Sequence, residues 1–146
     1  METDLEIPLA VSDRRLFTPA EANQILPTLR ALLETLTESL QRAAVMSVLL
    51  DEAQDTASRL GAMEDLEELQ QAARQAMADI EELGAEVRSV TPGILEFPAF
   101  HNGQSVMLSW HESDPAQLKF WRPLHAKFEH RLRLDLTTPA AWEYCC

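Results

Sequence analysis

The stretch FTPAEANQILPTLRALLETLTESLQRAAVMSVLLDEAQDTASRL, residues 17–60, decides the architecture. It opens on a capping box. Thr18 stands at an N-cap, Pro19 at the first helical position and Glu21 three residues after the cap, so two side chains can satisfy backbone N–H groups that a helix start leaves unpaired. From there Ile25, Leu29, Leu32, Leu36, Ser39, Ala43, Met46, Leu50, Ala53, Ala57 and Leu60 follow in steps of three and four, a heptad rhythm that turns one helical face toward a partner. A second stripe, Leu26, Leu33 and Leu40, widens that face beyond a two-stranded seam. Pro27 removes one helical hydrogen bond, which predicts a kink between Asn23 and Pro27 with Asn23 serving the freed carbonyl. The pattern predicts helix to about Leu60, with Gly61 as the stop.

A second helix is expected from Met63–Asp65 onward. Leu66, Leu69, Ala73, Ala76, Ile80, Leu83, Val87 and Val90 keep the same spacing. The short connection makes the two helices antiparallel neighbours. At 1.5 Å per residue they span roughly 60 Å and 40 Å, so the first overhangs the second at the open end.

The composition changes at Thr91-Pro92-Gly93. Residues 19–90 hold fourteen acids and five bases, and residues beyond 91 hold six and five, together with every Trp, His and Tyr. Ile94–Phe97 reads as a strand, Asn102-Gly103 as a hairpin turn, and Val106, Leu108 and Trp110 alternate as in a strand with one buried face. Leu118–Trp121 reads as a further strand and Leu124–Leu134 as a short helix. The fold class expected is α+β: a long antiparallel, coiled-coil-like two-helix hairpin with a small antiparallel β unit and a short C-terminal helix at its open end. The layout is one domain: an arm over 1–16, the helical hairpin over 17–90, a small β/α unit over 91–134 and a tail over 135–146, in which Trp142 and Tyr144 are candidates to dock on the body. The sheet is expected to pack on Ile25, Leu26 and Leu29, near Glu21.

Length and charge narrow the function classes. A chain of 146 residues is one domain with room for a core, and its net charge of −12 is the wrong sign for neutralising phosphates, so neither nucleic acid nor anionic membrane is an expected partner. No apolar run is long enough to span a bilayer, and the acidic first residues do not read as a secretion signal. Cys145 and Cys146, adjacent at the end, make no disulfide framework. A reduced, cytoplasmic compartment is the expectation. No nucleophile elbow, P-loop or dinucleotide fingerprint is present.

FTPAEANQILPTLRALL and GILEFPAFHNGQSVMLSWHESDPAQLKFWRPLHAKF together resemble an uncharacterised bacterial family, domain of unknown function 2203. Phe17, Thr18, Glu21, Ala22, Asn23, Leu26 and Pro27 fit its opening motif, and Gly93, Phe97, Pro98, Gly103, Trp110, Pro115, Phe120 and Trp121 its later one. Glu96 stands where the family usually has Asp, Ser109 where Cys is common, and Arg122 where the family pattern has His. The family brings no known activity, so the resemblance speaks to the fold.

Two functions follow as expectations. The first is a non-enzymatic protein-interaction or assembly module, a homodimer with Leu26, Leu33 and Leu40 at its interface, since two helices alone leave a wide apolar face uncovered. The basic cluster Lys119, Arg122, Lys127, Arg131 and Arg133 then pairs with the acidic hairpin, within the chain or across the dimer. The alternative is a small-ligand site at the junction of hairpin and β unit. There Glu21, Asn23, Glu96, Arg122 and His125 would converge, with Arg122 binding a carboxylate or phosphate bidentately, His125 donating, and Glu96 steadying Arg122. A metal set would draw on Glu96, His111 and His125. No cofactor is specified by the sequence.

Overall fold

The computed structural model describes residues 15–135, 137 and 139–142. The expected polar arm through residue 14, and Tyr144, Cys145 and Cys146, lie outside these. Two long helices, α1 (Pro19–Glu52) and α2 (Thr56–Glu82), precede a five-stranded antiparallel sheet. Its strands are β1 (Glu86–Ser89), β2 (Ile94–His101), β3 (Gln104–His111), β4 (Phe120–Pro123) and β5 (Leu132–Arg133), and their order in the sheet is their order in the chain.

The capping box is present as the sequence predicts. Thr18 N donates to Glu21 Oε1 at 3.0 Å, and Glu21 N to Thr18 Oγ1 at 3.2 Å. The helix it starts ends earlier than expected, at Glu52, and Gly61 lies inside α2. Asp55 makes the difference: its carboxylate accepts the Ser58 amide at 2.7 Å and the Ser58 hydroxyl at 3.0 Å, capping a new helix. Ala53, Ala57 and Leu60 keep the heptad count across the turn, so periodicity alone passes over the break.

The second helix also stops early. Gly84 takes φ +99° immediately after the C-cap Leu83, a conformation a Cβ disfavours, and a Cβ there would lie 3.0 Å from the Phe17 ring. Val87, expected in the helix, sits instead in β1. A cis Thr91–Pro92 peptide lies in the connection from β1 to β2. The hairpin turn falls on Asn102 (φ 51°) and Gly103 (φ 82°), with His101 opposite Gln104. Residues 124–134 are not the expected helix but a single 3-10 turn, Phe128–His130, followed by β5. Arg131 draws this segment onto the sheet: its guanidinium lies 4.3 Å from the Phe120 ring centroid and 4.4 Å from that of Phe128, and bonds Asp114 at 2.9 Å.

The core lies between the hairpin and one face of the sheet. Leu26, Leu29, Leu33 and Leu36 of α1 and Ala73, Ala76 and Ile80 of α2 meet Leu95, Phe97, Ala99, Val106, Leu108 and Trp110. Phe17 is fully buried edge-on to Phe97, and its N–H donates to Pro98 O at 2.8 Å. The sheet therefore seats on the open end of the hairpin, against Leu26 and Leu29. A 3-10 turn at Pro139–Trp142 closes the hairpin end of the sheet, where His101 stacks at 4.5 Å on both Trp121 and Trp142.

This packing corrects the expected dimer stripe. Leu26 and Leu33 are buried within the chain's own core, because the sheet, not a partner, covers them. Leu40, one heptad further on the same face, is 42% exposed, because the sheet stops short of it.

Candidate functional site

Strand alternation sends Leu95 and Phe97 toward the helices and Glu96 between them to the opposite face. There Glu96 meets Arg122 of β4 in a buried, two-pronged pair, with Nε to Oε2 and Nη2 to Oε1 both at 2.8 Å. The same guanidinium donates through Nη1 to the carbonyls of Leu124 and Ala126, each at 3.0 Å. Its pKa is raised above the ordinary arginine value, first by the hydrogen bond to Glu96 and, against a desolvation cost, by that carboxylate's charge. Arg88 approaches Glu96 Oε1 at 3.7 Å from the strand on the other side. Ser109 faces Glu96 in register and is fully buried, and its Oγ has no hydrogen-bond partner.

The expected convergence on Arg122 does not form. Glu21 is engaged in its capping box. Asn23 acts across the fold: its Oδ1 accepts the Leu118 N–H at 2.8 Å, tying α1 to the chain entering β4. Both are on the helix side of the sheet, while Glu96 and Arg122 are on the other, so strand alternation itself keeps them apart. Arg122 spends its donors on Glu96 and on backbone carbonyls, so its fork does not face outward to an anion. His125 is exposed. The metal set fails likewise. His111 Nδ1 takes up the Ser113 amide at 3.0 Å, its ring stacks at 5.9 Å on Phe128, and Glu96 is held by arginine. Among the described residues no three His, Cys, Asp or Glu side chains come together as a cation site.

A groove of about 450 Å³ runs beside α1, lined by Arg30, Leu33, Glu34, Thr37, Trp110 and Glu112. Arg30 lies 5.6 Å from the Trp110 ring centroid, and Glu112 accepts the Gly93 N–H at 2.7 Å. Its charged groups are mixed in sign and none is aimed at a common point.

The larger feature is the turn half of the hairpin. Val45, Val48, Leu49, Leu60 and Met63 are each about half exposed, with Leu60 at 55% and Met63 at 50%. Leu60 and Met63 line one shallow depression with Leu50 and Leu66, and Leu49 lines another with Met46, Ala53 and Ala62. Sequence reasoning did not single out Val45, Val48 or Leu49, and it placed Leu60 in the seam between the helices. Val45, Val48 and Leu49 recur at i, i+3 and i+4 outside the seam, which is the signal of a second apolar face. Two further exposed leucines are Leu124, just after β4, and Leu132, in the edge strand β5. No helix among the described residues is long and apolar enough to cross a membrane.

The family model described as an uncharacterized conserved protein, DUF2203, matches residues 15–134. No curated protein and no solved structure matches the chain.

Proposed function

The chain belongs to the DUF2203 family, and from that footing we propose that it is a non-enzymatic protein-interaction or assembly module, working as a homodimer, whose contact surface is the turn half of the helical hairpin. The observation that carries this reading is the apolar pattern running past the sheet. The same face that buries Leu26 and Leu33 leaves Leu40 exposed, and Leu60 and Met63 follow on α2. Fully burying a side chain of this kind is worth about 1.5–3 kcal/mol, so completing the burial of half-exposed ones contributes roughly 1 kcal/mol each. Half a dozen of them offset a substantial part of the cost of association. Of the polar groups expected to make a ligand site, Glu21, Asn23, Glu96 and Arg122 are meanwhile engaged within the fold, and His125 is exposed.

The test is a photo-reactive phenylalanine analogue introduced at Met63 in expressing cells. A discrete covalent adduct is expected there and not from the same probe at Glu82, an exposed position at the other end of α2. Equal labelling at both positions, or no adduct at either, overturns the reading.

A further inference from the structure

The hairpin tip and the sheet edge carry opposite charge. Residues 45–68 hold seven carboxylates, Asp51, Glu52, Asp55, Glu64, Asp65, Glu67 and Glu68, against the single base Arg59. All seven are exposed around the apolar side chains. Residues 119–133 hold five bases and one acid, Glu129. Two of the five are committed, Arg122 to Glu96 and Arg131 to Asp114. Lys119, Lys127 and Arg133 make no ion pair among the described residues, and the same segment carries two exposed leucines, Leu124 just after β4 and Leu132 in β5, the last strand of the sheet. One chain thus bears an acidic apolar surface and a basic apolar segment, both exposed among the described residues, the second at the edge of the sheet formed by the two-residue β5.

Resting on the interaction reading above, we propose that the partner of the hairpin tip is the β5 edge of a second copy, in a two-fold dimer with the hairpins antiparallel. The core residues of α1 that meet the sheet end at Leu36, and α1 continues to Glu52. The tip therefore projects beyond the sheet by roughly 24 Å at 1.5 Å per residue, enough to lie along a neighbour. Two tips side by side would set seven carboxylates against seven, and like-charge contact of that kind is costly. Turning the second copy end for end places each acidic tip on a basic edge instead. The contact occurs twice about one axis, so the assembly closes as a dimer and does not propagate as a fibre. Leu60 and Met63 of one copy then cover Leu124 and Leu132 of the other.

Charge reversal of the full chain tests this by sedimentation velocity. Glu64→Lys with Glu67→Lys reverses the tip, and Lys127→Glu with Arg133→Glu reverses the edge. All four sites are exposed, so far-UV circular dichroism should match the parent. Each double variant alone should show a homodimer dissociation constant raised about tenfold or more, and the parent dimer should weaken with salt. An equimolar mixture of the two variants should recover a dimer, because each tip then meets an edge of opposite sign. If the edge variant dimerises like the parent, or if the mixture stays monomeric, the tip-to-edge arrangement is wrong. A monomeric parent overturns the second-copy proposal together with the homodimer of the reading above, and if the Met63 probe still captures a different protein, only the hairpin tip as an interaction surface stands. If the probe captures nothing, both are lost.

Discussion

Glu96 and Arg122 lie on strands that are not neighbours: their side chains join across β3, above Ser109, through two hydrogen bonds of 2.8 Å. The pair thus fastens three strands together on the face away from the helices. Through Arg122 Nη1 it also holds the Leu124 and Ala126 carbonyls. An arginine in place of the family pattern's histidine here supplies a fork long enough to make all of these contacts at once.

Breaking the pair from one side leaves the buried Glu96 carboxylate without either of its 2.8 Å hydrogen bonds and with only Arg88, at 3.7 Å, to balance its charge. Arg122→Met is expected to lower unfolding free energy by about 3–5 kcal/mol, whereas Arg122→Met combined with Glu96→Leu should recover most of that loss. Urea denaturation of the three proteins checks it. A single-variant loss below about 1 kcal/mol would show that the pair contributes little.

Ser109 has a hydroxyl buried without a partner. A group in that state carries its desolvation cost uncompensated, about 1–3 kcal/mol. Ser109→Cys, the residue the family resemblance leads one to expect, keeps the shape with a less demanding polar atom and should raise stability by about 1 kcal/mol. An unchanged or lowered denaturation midpoint would count against the assignment.

Gly61 stands inside α2, exposed, with nothing within 4 Å of the position a Cβ would take. Gly61→Ala should therefore stabilise the fold by about 0.5–1 kcal/mol, through the smaller loss of backbone freedom. Thermal unfolding of the variant at several protein concentrations separates this gain from any effect on association.

Asp55 has a carboxyl pKa held below the ordinary 3.8, first by the Ser58 amide and then by the Ser58 hydroxyl. A folded-state pKa below the unfolded one adds stability that is present above 3.8 and lost as pH falls through the lowered value. The protection factors of the Ser58 and Arg59 amides, measured against their intrinsic exchange rates, are expected to fall over that interval. In Asp55→Ala they should be low already at neutral pH and change little further in acid. Equal protection in both proteins at neutral pH would remove the cap from the account.

The parts of this fold legible in the sequence are those fixed by neighbours in the chain. Thr18 with Glu21, and Asn102 with Gly103, announce a helix start and a hairpin through local chemistry alone. The breaks at Asp55 and Gly84 were signalled just as locally, but a heptad rhythm running through both outweighed them, because an apolar residue keeps its spacing whether or not the helix continues. The junction was harder still. Glu96 and Arg122 come together as an ion pair, yet which face of the sheet they occupy depends on strand register, and register is set by the whole sheet. Asn23 bonding Leu118 across 95 positions has no counterpart in local pattern.

The meander of the sheet governs the route to this structure as well as its form. Each strand pairs with its sequence neighbour, and the two helices pair with each other, so both halves can assemble from short loops whose closure costs little entropy. Only docking joins distant segments, through Phe17 on Pro98 and Asn23 on Leu118. Folding rate should thus be most sensitive to substitutions inside either half, and unfolding rate to those at the joint, where the chain's longest loop closes last.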